Sequence, residues 1–140
     1  RDKNMDKIIE AIINWDFWML LATATIPLAL HNYSRTSTTM NAINELRQKS
    51  TIKWQAITGI PKEFDNITPV QRHLIMDYLN EYDHFCTLYN EGLIKKSIVK
   101  KTRKTTIKNA FNIHKSFITR WREEYDAEAW INLELCASKI

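Results

Sequence analysis

The chain has 140 residues, enough for one domain with a real hydrophobic core, yet only two glycines and three prolines. Tight turns depend on those two residue types, so their scarcity excludes a sheet protein with many turns and predicts an all-α fold. Five Trp, five Tyr and five Phe exclude a disordered chain. The net charge of +4 is uneven: residues 95–122 carry ten Lys or Arg and no acid, which leaves ten basic and sixteen acidic residues elsewhere.

The first segment is the most apolar. Residues 17–30, FWMLLATATIPLAL, contain no charge. About twenty apolar residues span a bilayer, and the upstream IIEAII lengthens the run. Aromatic side chains at both ends are typical of membrane interfaces, and a proline at position 27 is tolerated in membrane helices. The predicted membrane anchor consists of Trp15, Trp18, Leu20, Leu21, Ile26, Leu28, Leu30 and Tyr33.

The alternative for this run is a buried core helix, which Asp16 favours because a carboxylate is costly in hydrocarbon. If the run spans a bilayer, the basic residues that follow it give a slight bias toward a cytoplasmic C-terminal body. The alternative location is wholly cytoplasmic, and the scarcity of cysteines agrees with that compartment. The first residue is Arg1 rather than Met, so we expect processing or further residues upstream.

The polar stretch SRTSTTM, Ser34–Met40, predicts a linker or a frayed helix start, which divides the chain into an N-terminal helix, residues 1–33, and a helical domain, residues 34–140. A helix then follows to about Thr58 and stops at Gly59. Thr68-Pro69-Val70-Gln71 matches a capping box with a first-turn proline and predicts the start of the next helix.

That helix carries an apolar and aromatic stripe at helical spacing and closes at Gly92. A helical stripe of this kind is typical of a core rather than of a base-stacking surface. The stripe consists of Val70, Leu74, Tyr78, Tyr82, Phe85 and Tyr89. A further helical pattern runs over residues 110–125, with a bend near Asp126.

Between them lies IKKSIVKKTRKTTIKN, with seven Lys or Arg and no acid. On a helical wheel, six of these residues fall within roughly half of the circumference. A solvated helix face is one interpretation, and a binding face for an anionic surface is the other. One Arg among six Lys disfavours base-specific readout of nucleic acid. The predicted anionic-surface residues are Lys96, Lys100, Lys101, Arg103, Lys104 and Lys108.

No motif predicts catalysis. Two glycines cannot supply a phosphate loop or a nucleophile elbow. His73, Asp77 and His84 share one helix, but they lack the short ligand spacing of a zinc site and are better explained as surface polar contacts. His114, within an apolar stripe, predicts a hydrogen-bonded core or boundary histidine. Cys86 and Cys136 predict buried, reduced thiols. No catalytic residue, metal site or cofactor is therefore predicted.

Two stretches carry a family resemblance: LNEYDHFCTLYNEGLI, residues 79–94, and FITRWREEYDAEAW, residues 117–130. They resemble a prokaryotic family of small membrane-anchored helical proteins, domain of unknown function 4760, over the C-terminal half of the chain. The resemblance implies a membrane anchor and no established catalytic residues. It also implies a phage-defence or mobile-element setting. The matched positions are Leu79, Asn80, Tyr82, Phe85, Gly92, Leu93, Ile94, Arg120, Arg122, Tyr125 and Trp130.

Together these patterns predict an irregular antiparallel bundle of three or four helices, preceded by an apolar helix that is a candidate membrane span. The leading functional interpretation is a non-enzymatic, membrane-tethered interaction or regulatory domain, whose basic face meets a membrane or an acidic protein partner. A soluble, unspecific nucleic-acid-binding module is the second hypothesis, and a helical subunit of a larger assembly is the third. The sequence leaves the oligomeric state open.

Overall fold

A computed structural model of the protein describes residues 3–140, with the side chains of residue 10 and residues 12–140. The fold is all-α, as predicted, with five helices rather than three or four, and the described part of the chain contains no strand. The helices are α1 (Lys3–Ile57), α2 (Pro69–Asn90), α3 (Lys96–Ile113), α4 (Lys115–Glu124) and α5 (Ile131–Lys139), with a 3-10 helix at Phe64–Asn66. The chain divides into two compact units, Arg1–Arg35 and Thr36–Ile140, whereas the sequence placed the boundary after residue 33.

The polar segment Ser34–Met40 is helical, so its interpretation as a linker is wrong. Within it, Thr39 is completely buried, and its Oγ1 accepts a hydrogen bond from the backbone N–H of Lys95 at 2.9 Å. Ile43 and Leu46 are also buried, at the one-turn and two-turn spacings that follow Thr39 on the same face of α1. Tertiary packing of this face therefore overrides the weak helix propensity of the Ser and Thr residues.

The end of α1 and both ends of α2 lie at the predicted signals. The α1 helix ends at Ile57, and Gly59 then adopts a left-handed φ of 89°. At the start of α2 the capping box is complete: the Gln71 N–H donates to Thr68 Oγ1 at 3.3 Å, and the Thr68 N–H donates to Gln71 Oε1 at 3.0 Å. The α2 helix ends at Asn90, and Gly92 turns the chain with a φ of 75°.

The aromatic stripe of α2 forms the centre of the core, as predicted. Tyr78, Tyr82, Phe85 and Tyr89 are all buried, whereas Val70, in the first turn of α2, is exposed. The rings of Tyr78 and Tyr82 lie 5.0 Å apart between centroids. Apolar residues from the four remaining helices pack around them: Ile43, Leu46 and Ile57 of α1, Val99, Ile107 and Ala110 of α3, Phe117 and Ile118 of α4, and Leu133, Cys136 and Ala137 of α5.

The predicted pattern over residues 110–125 is not one element. Ala110 belongs to the same helix as the basic stretch, because α3 continues from Lys96 to Ile113, and the helical path breaks at His114. The chain bends again after α4, and Trp130 enters α5 with a left-handed φ of 54°. A left-handed Trp is rare because its Cβ crowds the backbone, so the surrounding contacts must hold it there.

Polar side chains of α2 provide those contacts. The indole Nε1 of Trp130 donates to Asn80 Oδ1 at 2.8 Å. Asp83 Oδ1 accepts from the Leu133 backbone N–H at 2.8 Å, in the first turn of α5. Asn90 donates through Nδ2 to the Asn132 carbonyl oxygen at 3.0 Å. Two residues of the family resemblance, Asn80 and Trp130, are therefore bonded to each other, which gives both a structural role.

Candidate functional site

The apolar segment, which we define as residues 17–30 of α1, has no buried side chain. Among the described residues, one helical segment, Ile12–Ile57, is long and apolar enough to cross a membrane. An 18-residue window within it reaches a mean hydropathy of 1.3, and none of that window is buried. The predicted anchor residues Trp15, Trp18, Leu20, Leu21, Ile26, Leu28, Leu30 and Tyr33 are between 43% and 75% exposed.

This exposure bears on the two interpretations of the apolar run. A core helix would bury its apolar face against other elements, and the apolar segment does not do so. The exposure of these side chains agrees with the membrane-anchor interpretation. Asp16, which favoured the core helix, is also exposed. Part of the upstream extension of the run, Ile8, Ile9 and Ala11, lies outside the residues whose side chains are described.

The two hydroxyl groups within the apolar segment are matched locally. The Thr23 hydroxyl donates to the Leu20 carbonyl oxygen at 2.9 Å, and the Thr25 hydroxyl donates to the Leu21 carbonyl oxygen at 2.8 Å. Pro27 lies inside the helix and lacks a backbone N–H. A segment whose hydroxyl protons are used internally has a low cost of transfer to an apolar medium, since unpaired donors are what make that transfer expensive.

The predicted basic face is divided by the packing of α3. Lys100, Lys101 and Lys104 are exposed, and Lys108, on the same side of the helix, is half-buried. We call these four residues the lysine surface. They fall within about 100° of helical rotation, and no acidic residue occurs in α3. The lysine surface thus groups four lysines on one side of α3.

The other two predicted residues lie elsewhere. Arg103 is one turn from both Val99 and Ile107, which are fully buried, and it is itself half-buried. Lys96 begins α3, and its Nζ lies 5.4 Å from the centroid of the Tyr89 ring, a cation–π contact. The structure therefore brings together four of the six predicted residues. The sequence missed this division because Ile107, inside the basic arc of the wheel, is the residue that turns this side of α3 toward the core.

The titratable groups considered in the sequence are distributed as follows. His73, Asp77 and His84 are exposed on α2. Among the residues whose side chains are described, no three His, Cys, Asp or Glu side chains come close enough together to hold a metal ion. His114 is half-buried, and its Nε2 is buried without a hydrogen-bond partner in the described structure, unlike the hydrogen-bonded histidine that the sequence predicted. Burial lowers the pKa of His114 to about 4, so its imidazole is neutral at pH 7.

Cys86 and Cys136 are free, buried thiols, as predicted. Cys86 lies on α2 and Cys136 on α5. The interaction with the Cys136 thiol, and then burial, raises the pKa of the Cys86 thiol. A buried thiol with a raised pKa is a poor nucleophile, which suits a packing role in the contact between α2 and α5.

One known protein family matches most of the chain. The family described as Domain of unknown function (DUF4760) matches residues 10–140. The chain belongs to this family. The match includes the apolar segment as well as the C-terminal half of the DUF4760 chain, which carries the resemblance. No curated protein and no solved structure matches it.

Proposed function

We propose that this DUF4760 protein is a non-enzymatic, membrane-tethered helical domain whose lysine surface binds anionic lipid headgroups. One observation carries the proposal: thirteen of the fourteen charge-free residues of the apolar segment are exposed along α1, and none is buried. Apolar surface in water costs about 25 cal/mol per Å², and a continuous exposed patch of this kind marks a protein or membrane contact. A bilayer removes that cost, and flanking Trp15, Trp18 and Tyr33 suit its interfaces.

The charges near the apolar segment give the direction of insertion. Arg35 and Arg47 follow the segment, and Glu45 is the first acid after Asp16. Basic residues near a membrane helix remain on the cytoplasmic side, whereas acids contribute little to orientation. We therefore place the unit Thr36–Ile140 in the cytoplasm. From the family resemblance, we further propose that the domain acts as a regulator in phage defence or on mobile elements.

The lysine surface supplies the second part of the proposal. Clustered Lys or Arg residues near an anionic leaflet contribute about 1 kcal/mol each, so the four lysines provide about 4 kcal/mol at low salt. A tethered domain encounters headgroups at a high effective concentration, so a weak electrostatic contact is sufficient. Lysine-rich composition suits a diffuse layer of charge better than it suits a fixed, base-specific contact.

Membrane fractionation tests the tether. We expect the full chain to remain in the membrane pellet after washes with high salt and alkaline carbonate, and to require detergent for extraction. Leu20→Arg with Leu28→Arg puts two charges into the apolar segment, at about 2.5–3.5 kcal/mol each, and should release the chain. Ile52→Arg is the matched control, because Ile52 is exposed on α1 outside the segment. Release of the unmodified chain by salt alone, or its presence in the soluble fraction, contradicts the proposal.

Lysine acetylation tests the headgroup contact. The full chain is placed in nanodiscs with and without phosphatidylglycerol, and the acetylation rate of each lysine is read by mass spectrometry. We expect anionic lipid to slow acetylation of Lys100, Lys101 and Lys104, and salt to restore it. Lys62, an exposed lysine in the loop after α1, is the control. Equal rates in both lipids contradict the lipid contact. Salt-steep binding of unrelated DNA sequences by the same surface would instead favour the nucleic-acid hypothesis.

A further inference from the structure

A cavity of about 340 Å³ lies within the second unit, between α1, α2 and α3. We call it the three-helix cavity. Ligand pockets in proteins begin at about 300 Å³, so its size suits a small organic molecule. It is separate from the exposed lysine surface and from the apolar segment, because its lining residues all lie between Arg47 and Ile113 and include none of those lysines.

Each helix contributes one face to the three-helix cavity. From α1 come Arg47, Ser50 and Trp54, spaced at three and four residues. From α2 come Tyr78 and Tyr82, one turn apart. Because these side chains lie on rigid helices rather than on loops, the cavity is largely preformed.

The third wall is positive and polar. From α3 come Arg103, Thr106 and Asn109, again at spacings of three. Arg103 and Arg47 together give the cavity two guanidinium groups, while its described lining contains no Asp or Glu. Neither Arg47 nor Arg103 forms an ion pair with a carboxylate among the described side chains. The cavity therefore carries an uncompensated charge of about +2, since Arg is protonated at every relevant pH.

Arg103 contributes one of the two guanidinium groups at the cavity wall. Its Nε is buried and has no hydrogen-bond partner in the described structure. The two Nη groups of a guanidinium at a cavity wall can donate to an oxyanion in the bidentate mode. Ser50, which is buried, and Thr106 add hydroxyl groups at the same walls. Thr51 contributes no proton, because its hydroxyl already donates to the Arg47 carbonyl oxygen at 2.7 Å.

The aromatic wall supplies the other half of the recognition chemistry. The ring centroids of Trp54 and Tyr78 lie 5.7 Å apart, tilted by 46°, and Tyr78 contacts Tyr82 on its other side. Trp54 is 40% exposed despite its size, whereas Tyr78 and Tyr82 are buried. A planar ring stacks favourably on an aromatic surface of this kind.

We propose that the three-helix cavity binds a small phosphorylated aromatic molecule, with its phosphate at Arg47 and Arg103 and its ring against Trp54. Guanidinium forks match the geometry of phosphate oxygens, and the combination with an aromatic wall selects a phosphate that carries a planar ring over free phosphate. A nucleoside monophosphate has this chemistry, and phenyl phosphate is its smallest representative. The proposal does not depend on the membrane tether or on the lysine surface.

Isothermal titration calorimetry of the full chain, in a detergent without phosphate groups, tests the proposal. The probes are phenyl phosphate and adenosine monophosphate, with inorganic phosphate as the comparison. We expect both aromatic phosphates to bind, and inorganic phosphate to bind about tenfold more weakly. If neither aromatic phosphate binds, or if inorganic phosphate binds as tightly as phenyl phosphate, the proposal is overturned.

Matched charge variants locate the binding. Arg103→Gln removes the guanidinium of this half-buried residue and should weaken phenyl phosphate by about tenfold or more. Lys104→Gln removes the same charge from the next residue of α3, which faces solvent, and should leave the affinity within about twofold. Equal weakening by both variants means a general charge effect and overturns the site. If Arg103→Gln disturbs folding by circular dichroism, Arg47→Gln, on an exposed residue, decides in its place.

Discussion

Replacing Asp83 tests how α5 is held on α2. Trp130 at the start of α5 provides no side-chain cap, and Asp83 of α2 takes that place by accepting the Leu133 N–H at 2.8 Å. A hydrogen bond to a charged acceptor contributes about 1.5–3 kcal/mol, and a negative charge at a helix N-terminus about 0.3–1 kcal/mol. Because the two effects overlap, we expect Asp83→Ala to lower the free energy of unfolding by about 2–3 kcal/mol. Asp83→Asn, which retains an acceptor oxygen, should cost about half as much.

The measurement is urea unfolding of the full chain in neutral detergent, followed by far-UV circular dichroism. A loss of 2–3 kcal/mol is well above the error of the extrapolation when the m-value is unchanged. Asp77→Ala is the control, because Asp77 is an exposed acid on the same helix. If Asp83→Ala destabilises the protein no more than Asp77→Ala does, α5 is held by apolar packing alone and the reasoning about the cap is refuted.

Three further predictions concern single groups. The folded-state pKa of His114 is about 4 and the unfolded value is about 6.5, so its contribution to stability is complete above pH 6.5 and falls toward pH 4. Urea titrations across this pH range should show a loss of about 2–3 kcal/mol in the free energy of unfolding, and His114→Gln should abolish that loss. If the free energy of unfolding of the variant keeps the same pH dependence, the buried imidazole is contradicted. Cys86 and Cys136 should react with Ellman's reagent only on unfolding, and fast reaction of the native protein would disprove their burial. Thr39→Val should cost about 1–3 kcal/mol in thermal or urea unfolding, because it removes the acceptor at the start of α3, whereas Thr38→Val, on an exposed residue, should cost almost nothing; equal effects would deny the buried hydroxyl its role.

Local signals in the sequence predicted the parts of the fold that local physics decides. The capping box at Thr68 and the glycines at positions 59 and 92 gave helix boundaries within a few residues, because capping and left-handed turns depend on adjacent residues alone. The stripe from Tyr78 to Tyr89 predicted the core through helical spacing.

Features that depend on distant contacts could not be predicted in this way. The continuity of α1 through Thr39 depends on Lys95, which is 56 residues away in sequence. Similarly, the left-handed Trp130 depends on Asn80 and other groups of α2. For the candidate sites, charge and hydropathy predicted the apolar segment and most of the lysine surface. Arg103 was assigned to the wrong environment, because a wheel at 100° per residue shows which residues share a side but not which side the core will occupy.

The polar contacts between α2 and α5 also determine how the protein opens. The α5 helix has only nine residues, too few for stability in isolation. Hydrogen bonds with Asn80, Asp83 and Asn90 fix its register on α2, and a slip by one turn would break all three contacts together. Gradual fraying is therefore replaced by a single concerted step, and in native-state hydrogen exchange the amides of α5 and the middle of α2 should behave as one cooperative unit with a common opening free energy.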